Sequence, residues 1–287
     1  MILGLMGNLT KPNFREVLPP LIAELRQRKA SFVLEEAAAK GLKLDAAEKL
    51  PAEKIPDVAS VILSFGGDGT LLRTAQTVGR RRIPILGVNL GPGLGYLTEL
   101  GVDELTASLD RILSGDFRVE ERIMLTAEEH GSGKLICHAL NDVVIGHAVL
   151  SKTMQIEVMI DGRPVTTYRC DGMIVATPTG STAYTLSAGG PIVEPTLNVM
   201  IVTPICPHTL TMRPVVISAR RTVEIRPAED AYVAADGESQ KLLRAGDVIR
   251  VRRSPFTTLI ASVTGHDFYQ VLRAKLQWGA AKPEAAA

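Results

Sequence analysis

Aromatic residues are scarce in this chain of 287 residues, where Phe, Trp and Tyr together make up 4% of the sequence. The hydrophobic core must therefore be built from Val, Ile, Leu and Ala, which suit buried parallel strands and β-rich packing. An aromatic-rich binding platform is disfavoured for the same reason. The chain is long enough for two domains, each with its own core.

An excess of charge of either sign is also missing. Lys and Arg total 32 against 31 for Asp and Glu, which leaves a formal net charge of +1. A chain with so little net charge has no strong field to attract nucleic acid or an anionic membrane. We therefore expect neither as a partner.

Cysteine is rare, and long apolar runs are absent. Cys137, Cys170 and Cys206 are odd in number and lack metal-ligand spacing, which is typical of reduced thiols in a cytoplasmic protein. No apolar run approaches the roughly 20 residues of a membrane span. The first residues carry no basic region and no cleavage site, so we expect a strand there and not a signal peptide.

The first third of the chain alternates apolar runs with stretches of helical spacing. We predict strands at Ile2–Met6, Ser31–Leu34, Val58–Phe65 and Ile83–Val88, and helices at Leu18–Arg28, Leu71–Val78 and Asp103–Leu113. Pro19 and Pro20 should lie in the first turn of their helix, and Asp103 should cap the third helix. Residues 40–56 are expected to be helix and loop. Such alternation predicts an open, mostly parallel sheet with ligands beyond the carboxyl ends of its strands.

The pattern changes near Phe117 to many short strands. We predict them at Arg118–Glu128, Gln155–Ile160, Arg163–Arg169, Met173–Thr177, Asn198–Ile205, Thr222–Arg226 and Asp247–Arg252. Asp161–Gly162 indicates a hairpin turn, and one helix is expected after Gly180. We therefore predict an α/β domain at 1–117, a β-rich, sandwich-like domain at 118–265 and a C-terminal segment at 266–287. That segment should be helical over 267–278, with a flexible tail from Ala280.

The turn Gly66-Gly67-Asp68-Gly69-Thr70 follows one predicted strand and precedes a helix. Its glycines let the backbone approach a ligand closely, and successive N–H groups at a helix N-terminus bind anions. A carboxylate in such a turn is unfavourable unless it holds Mg²⁺ or accepts a proton from a hydroxyl that attacks phosphorus. The alternative is an ordinary turn in which Asp68 caps the helix. The turn is not a Walker A loop, and Gly91, Gly93 and Gly95 lack the Rossmann spacing.

A second cluster runs from Thr177 to Tyr184 in the β-rich region. Its hydroxyls surround a turn at a helix N-terminus, where they suit the ribose, the adenine edge and the phosphates of a nucleotide. The alternative is that they only cap the helix. Tyr184 and Ser187 are three residues apart and share a helix face. Asn141–Asp142 interrupts a buried run and must be hydrogen-bonded, and Asp171–Gly172 marks a turn.

These residues together resemble the NAD kinase family. The matching stretches are Gly66–Thr70, Val88–Gly91, Leu94–Thr98, Leu140–Asp142, Asp171–Pro191, Pro204–Leu210 with Arg213–Pro214, and Phe268–Gly279. The resemblance covers nearly the whole chain in order, and the block from Asp171 to Pro191 is its most specific part. The turn at Gly66–Thr70 is shared with diacylglycerol and sphingosine kinases.

The resemblance implies transfer of the γ-phosphoryl group of ATP, or of polyphosphate in some members, to the 2′-hydroxyl of the adenosine ribose of NAD. It also implies help from Mg²⁺ or another divalent cation, no assigned protein ligand for that metal, and a homo-dimer or homo-tetramer. The last segment should return to the first domain. Asp68 corresponds to the catalytic carboxylate. The residues implied to bind the dinucleotide are Gly69, Leu72, Tyr96, Asn141, Asp142, Arg169, Asp171, Thr179, Thr182, Ala183, Tyr184 and Ser187. Asp171 is expected to reach NAD in a neighbouring subunit, and Asp236 to be a further acid of this site.

Two rival functions remain open on the sequence alone. A lipid kinase would use the same turn on an acyl-glycerol or sphingoid hydroxyl, but it would need an apolar acceptor site in place of the hydroxyls at Thr179–Tyr184. A non-catalytic dinucleotide-binding regulator would not need Asp68. Incubation with ATP, Mg²⁺ and NAD, followed by an assay for NADP, separates the three.

Overall fold

The structure is a computed structural model that describes residues 1–8, 12–42, 49–92, 95–149, 152–265 and 267–278. The chain divides into two compact units. Unit 1 comprises Met1–Glu120 and Leu259–Ala287, and unit 2 comprises Glu121–Thr258. The three segments predicted from the sequence, 1–117, 118–265 and 266–287, remain a proposal about domains.

Unit 1 holds a parallel sheet flanked by helices. Its elements over the first 120 residues are β1 (Ile2–Gly7), α1 (Pro12–Gln27), β2 (Ser31–Glu35), α2 (Glu36–Gly41), β3 (Lys49–Leu50), a 3₁₀ turn (Ala52–Asp57), β4 (Val61–Gly66), α3 (Asp68–Val78), β5 (Ile85–Asn89), β6 (Leu100–Gly101) and α4 (Val102–Ser114). The strand order is β3-β2-β1-β4-β5, and each of these pairs is parallel. All residues of β4 are buried, as expected for a central strand covered on both faces.

The register of β4 and β5 brings the ends of two strands together. Gly66, the last residue of β4, pairs with Asn89, the last residue of β5. The turn that carries Asp68 therefore begins at the carboxyl edge of the sheet, beside the start of the chain segment that leads from β5 to β6. Ligands in parallel sheets bind at this edge.

Unit 2 is antiparallel. The elements that follow along the chain are β7 (Arg118–Glu129), β8 (Leu135–Ala139), β9 (Asp142–His147), β10 (Met154–Ile160), β11 (Arg163–Cys170), β12 (Gly172–Ala176), a 3₁₀ turn (Thr179–Thr182), α5 (Tyr184–Ser187), β13 (Val199–Ile205), β14 (Val215–Ser218), β15 (Thr222–Pro227), β16 (Ala231–Ala235), β17 (Glu238–Leu243) and β18 (Ile249–Ser262). One sheet has the order β14-β13-β12-β9-β16-β17. The other contains β11-β10-β15-β18, with β7 paired to β18 and β8 paired to β7. The chain ends with α6 (Phe268–Leu276) in unit 1.

Strand β12 shows how unit 2 buries both faces of its six-stranded sheet. Met173 and Val175 lie in the large core, which also contains residues of the second sheet such as Ile156 and Val251. The alternate residues, among them Ile174, join a smaller cluster on the opposite face. Because Ala188 packs against that smaller cluster, the segment that follows the 3₁₀ turn covers the outer face of the sheet.

The observed architecture confirms the predicted fold class, an α/β domain with a mostly parallel sheet followed by a β-rich, sandwich-like domain. Strand β18 belongs to both units, since Ile249–Arg252 pair with β15 and Ile260–Ala261 pair in parallel with β5. None of the helices in the described residues is long and apolar enough to cross a membrane.

Several local predictions are corrected by the structure. Pro19 and Pro20 lie inside α1 and not in its first turn, because the helix begins at Pro12. Phe14, Leu18, Leu21, Ile22 and Leu25 form a buried stripe along α1, and this packing outweighs the helix-breaking tendency of the prolines. The helix predicted at Asp103 begins at Val102, and the residue before it is Gly101, whose N–H donates to Glu104 Oε2 at 2.8 Å. Asp103 is therefore not the cap.

Other boundaries also differ. The strand predicted from Val58 begins at Val61, because Ala52–Asp57 form a 3₁₀ turn that Val58 closes. The strand predicted at Asp247–Arg252 begins at Ile249 and continues to Ser262. The helix expected after Gly180 is only α5, preceded by a 3₁₀ turn. The predicted flexible tail, 280–287, lies outside the described residues.

Candidate active site

The two glycines on either side of Asp68 in the turn of unit 1 face open space. A Cβ added at Gly67 or Gly69 would meet no atom within 4 Å, whereas a Cβ at Gly66 would lie 2.2 Å from Thr70 Oγ1. Gly66 therefore allows the tight exit from β4, and the two following glycines keep the surface of the turn clear. Backbone N–H groups that face open space at a helix N-terminus suit a phosphate group.

The carboxylate of Asp68 is held by four hydrogen bonds from the segment 95–98. Its Oδ2 accepts from the N–H of Tyr96 at 2.9 Å. Its Oδ1 accepts from the N–H of Leu97 at 3.0 Å, and from both the N–H and the hydroxyl of Thr98 at 3.1 Å. Oδ1 is therefore fully used, while Oδ2 retains capacity for a further donor.

The alternative role for Asp68, a helix cap, does not fit this geometry. The residue before α3 is Gly67, which has no side chain to cap the helix, and Asp68 is already the first helical residue. Its side chain turns away from the helix backbone to the segment 95–98. The carboxylate is thus oriented by a part of the chain some 30 residues away.

Three further predicted residues of unit 1 lie around Asp68 in sequence or space. Gly69 is exposed and Leu72 is buried in the same helix. Burial, and then the charge of Asp68, raises the pKa of the Tyr96 hydroxyl. The Lys275 ammonium of α6 lies 6.0 Å from the centre of the Tyr96 ring, at the outer limit of a cation–π contact. The C-terminal helix therefore meets the predicted dinucleotide-contacting tyrosine.

In unit 2, Asn141 and Asp142 are held by the carboxylate of Asp236. Asp236 Oδ2 accepts from the N–H of Leu140 at 2.9 Å, and Oδ1 accepts from the N–H groups of Asn141 at 2.7 Å and Asp142 at 3.3 Å. The side chain of Asp142 is 4% exposed. Burial, and secondarily the charge of Asp236, raises its pKa to about 7.

The hydroxyl-rich turn packs directly on Asn141. Thr177 Oγ1 donates to the carbonyl of Leu140 at 2.6 Å, and the Thr177 N–H donates to the carbonyl of Asn141 at 2.8 Å. A Cβ at Gly180 would lie 2.1 Å from the Asn141 carbonyl oxygen, so the two segments touch backbone to backbone. The Asn141 Oδ1 is buried without a hydrogen-bond partner among the described residues, which leaves it available to a ligand donor.

The remaining polar residues of this turn are arranged around its 3₁₀ geometry. Thr182 Oγ1 donates to the carbonyl of Thr179 at 3.3 Å, and Arg122 Nη1 lies 3.5 Å from Thr179 Oγ1. Thr179 is buried, while Thr182 and Ala183 are partly exposed. The buried Arg122 therefore brings a positive charge next to this turn.

Tyr184 is 45% exposed and lies next to several predicted site residues. Burial raises the pKa of its hydroxyl, and the surroundings that add to this effect include Tyr232, Cys206, Asp171 and Asp142. The fold thus brings Tyr184 near both predicted acids. Ser187 is exposed at the end of α5.

Arg169 and Asp171 have exposed side chains, and neither side chain makes a hydrogen bond to another described residue. The charge of Asp171 nevertheless acts on Tyr184. Their backbones are hydrogen-bonded, since the carbonyl of Arg169 accepts from the N–H of His208 and the N–H of Asp171 donates to the carbonyl of Ile205.

Sequence reasoning missed Thr98, Arg122 and Lys275 as neighbours of the site. Thr98 and Lys275 lie in stretches that resemble the family, but no motif marks their contact with Asp68 or Tyr96. Arg122 is buried in strand β7, and no pattern in the sequence indicates that burial. Asp236 was expected to be a site acid, and its observed part is to fix the backbone of Leu140–Asp142.

The described residues contain no group of three or more His, Cys, Asp or Glu that could hold a metal ion by themselves. A carboxylate with a free position at Oδ2, next to a glycine turn at a helix N-terminus, is suited to moving a phosphoryl group to a hydroxyl.

Comparison with known proteins shows which protein family has similar sequences. Residues 11–117 match the model of the ATP-NAD kinase N-terminal domain, and residues 140–263 match that of the ATP-NAD kinase C-terminal domain. An NAD kinase of Geobacter metallireducens is 44% identical over 282 residues, covering 96% of this chain and 98% of that protein. An NAD kinase of Moorella thermoacetica is 42% identical over 286 residues, covering 98% and 91%.

Two solved structures are also similar. An NAD kinase from Archaeoglobus fulgidus in complex with ATP has a TM-score of 0.77 and 28% identity, covering 96% of this chain and 99% of that one. Yeast NADH kinase complexed with NADH has a TM-score of 0.90 and covers 100% and 90%. At 24% identity, this second likeness shows the fold alone.

Proposed function

The chain belongs to the ATP-NAD kinase family, and we propose that Asp68 is the residue that activates the acceptor hydroxyl in the reaction of that family. The enzyme transfers the γ-phosphoryl group of ATP to the 2′-hydroxyl of the adenosine ribose of NAD, which yields NADP and ADP. The single observation that carries the assignment of Asp68 is its carboxylate, oriented by four hydrogen bonds beside an open glycine turn.

Asp68 Oδ2 accepts the proton of the 2′-hydroxyl as the ribose oxygen forms its bond to the γ-phosphorus. The bond between that phosphorus and the β,γ-bridging oxygen breaks, and ADP leaves with the electron pair. The protein does little covalent chemistry in such a transfer, so positioning supplies most of the catalysis. The turn at Gly67 and Gly69 receives the donor phosphates, because it stands at the N-terminus of α3 and carries no side chain that would block a ligand.

The residues proposed to bind the dinucleotide are Gly69, Leu72, Tyr96, Asn141, Asp142, Thr179, Thr182, Ala183, Tyr184 and Ser187. The free Asn141 Oδ1 supports this role, since a ribose or amide donor would satisfy a buried acceptor that otherwise has no partner.

A divalent cation such as Mg²⁺ fits the site only as a companion of ATP. Phosphate oxygens and water would supply its ligands, as is usual for Mg²⁺, while Asp68 Oδ2 remains available to the acceptor hydroxyl. When bound, the cation neutralises charge that develops on the phosphates. The described residues offer no cage that would hold it in the absence of nucleotide.

Arg169 and Asp171 are proposed to act across a subunit boundary in a homo-dimer or homo-tetramer. Their exposed side chains support this role, because neither is held by a hydrogen bond to another described residue and each can meet a ligand held by another copy. Light scattering at the assay concentration tests it, and a fully active monomer would refute it. We also propose a cytoplasmic location, which the three unpaired cysteines support.

The experiment that tests the assignment compares Asp68→Asn with Tyr184→Ala, with NADP formation from ATP, Mg²⁺ and NAD as the readout. Asp68→Asn keeps the shape of the side chain but removes its charge, so kcat should fall at least about a hundredfold, within the range of general-base catalysis. Tyr184→Ala should raise the KM for NAD more than it lowers kcat. If Asp68→Asn is folded by circular dichroism and retains near-normal kcat, Asp68 is not the base.

A further inference from the structure

Three of the four hydrogen bonds to Asp68 come from the backbone, and the fourth comes from the side chain of Thr98. A carboxylate needs such a clamp because the terminal torsion of Asp, χ2, has a broad energy well and does not select one orientation. With three bonds on Oδ1 and one on Oδ2, exchange of the two oxygens by rotation would break several bonds at once. The clamp therefore decides which oxygen has capacity left for a substrate.

Thr98 is itself rigid. Its side chain is completely buried, and a β-branched side chain has few χ1 alternatives. The carbonyl of Thr98 accepts from the N–H of Gly95 at 2.9 Å, which closes the turn 95–98. Its Cα would lie 2.8 Å from a Cβ at Gly87, so the backbone of Thr98 packs directly on strand β5. The hydroxyl is thus attached to the sheet of unit 1 and not to a free loop.

The absence of a side chain at Gly95 completes the arrangement. A Cβ there would lie 2.1 Å from Thr98 Oγ1 and 2.4 Å from Asp68 Oδ1. Both distances are far below any real contact, so the space is filled by the hydrogen bond between Thr98 and Asp68. A larger residue at position 95 would have to move the carboxylate.

We infer that Thr98 is a positioning residue for phosphoryl transfer, which acts by fixing Oδ1 of Asp68 so that Oδ2 meets the acceptor hydroxyl. The inference rests on the proposed role of Asp68. Thr98 does not touch substrate in this account. Loss of its hydroxyl leaves the carboxylate on two N–H bonds at Oδ1 and one at Oδ2, so the carboxylate samples unproductive orientations.

Two substitutions at Thr98 separate the hydroxyl from the packing. Thr98→Val keeps the volume and removes the hydroxyl, and kcat should fall about tenfold or more, since small displacements of a reacting group cost up to about a hundredfold. The KM for NAD should stay within about twofold, because the pocket of unit 2 is unchanged. Thr98→Ser restores the hydroxyl, and its kcat should return to within about threefold of the wild-type value.

Controls address loss of structure. Thr74→Val removes another buried hydroxyl from unit 1, one that bonds Ser64 and the Thr70 carbonyl and not Asp68. It should lower the thermal midpoint at least as much as Thr98→Val while kcat stays within about twofold. If Thr98→Val does not fold, Gly95→Ala provides the second variant. It keeps the Thr98 hydroxyl in the chain, but its Cβ would push apart Thr98 Oγ1 and the Asp68 carboxylate, and kcat should again fall with little change in KM.

The decisive measurement is Thr98→Val in the Asp68→Asn background, by single-turnover NADP formation. Residues that act as one unit are not additive, so the double variant should be no slower than Asp68→Asn alone. If Thr98→Val slows Asp68→Asn by the same factor as it slows the wild type, the inference is overturned and the role of Thr98 is purely structural. Unchanged kcat in Thr98→Val, with Asp68→Asn inactive, overturns it and leaves the proposed function standing. Near-normal kcat in Asp68→Asn overturns both.

Discussion

Replacing the buried carboxyl group of Asp142 with an amide (Asp142→Asn) should stabilise the protein at pH 8 but not near pH 4. The side chain is 4% exposed, and burial together with the charge of Asp236 raises its pKa from 3.8 to about 7. An unfolded chain lets this group ionise near its ordinary pKa. Wild-type stability should therefore fall as the pH rises from about 4 through about 7, because folding then opposes ionisation.

The size of the effect follows from the shift. About three pKa units at about 1.4 kcal/mol each give an upper value of about 4 kcal/mol at pH 8. Structural relaxation around the charge will reduce it, and we expect Asp142→Asn to gain about 2 kcal/mol. For a unit of this size that is a rise in Tm of about 5 °C. The gain at pH 5 should be less than about half of the gain at pH 8, and it should vanish near pH 4.

Scanning calorimetry of the apoprotein between pH 5 and pH 8 measures this difference. Glu238→Gln, which changes an exposed carboxyl group on β17 to an amide, should follow the wild-type pH dependence. A gain from Asp142→Asn that is equal at pH 5 and pH 8 would show that ionisation is not its cause. No gain at pH 8 would refute the reasoning. The variant should also bind NAD more weakly, since destabilised residues at functional sites commonly trade stability for function.

Two other outcomes are expected. Burial raises the pKa of Cys137 to about 12 and that of Cys170 to about 11. Ellman's reagent at pH 8 should therefore label only the exposed Cys206 in the native protein, and all three thiols after denaturation. Labelling of two or three thiols in the native protein would contradict the burial of Cys137 and Cys170. Gly180→Ala should lower the Tm and weaken NAD binding, because its Cβ would lie 2.1 Å from the Asn141 carbonyl oxygen. Gly67→Ala, which meets no atom within 4 Å, should fold normally; equal Tm values for the two variants would argue against the close packing.

The sequence was sufficient to predict the features that depend on residues close together in the chain. The apolar run of β4, the glycines after it and the helical spacing from Leu71 together predict a strand, a turn and a helix, and the structure has them. Asp161–Gly162 predicts a hairpin, and both residues have positive φ as such a turn requires. The roles assigned to individual site residues stay predictions.

Features that depend on distant contacts could not be predicted in this way. No spacing rule connects Asp68 with Thr98, or Asp236 with Asn141, because the partners are 30 and 95 residues apart. Strand β17 was missed because its residues are mostly polar and exposed, as is common at a sheet edge. Pro255 concealed the length of β18, yet it falls between the residues paired with β15 and those paired with β5.

Strand β18 also imposes an order on biosynthesis. Unit 2 is one uninterrupted stretch, Glu121–Thr258, whereas unit 1 needs residues from both ends of the chain. Ile260 and Ala261, which pair with Ile85 and Leu86 of β5, leave the ribosome only after the whole of unit 2 has been made. Until then that stretch of β5 is an open sheet edge, and the core around Leu86 lacks Ala261 and Val263. The half that carries Asp68 is begun first and finished last, so a nascent chain released before residue 259 would carry an incomplete unit 1.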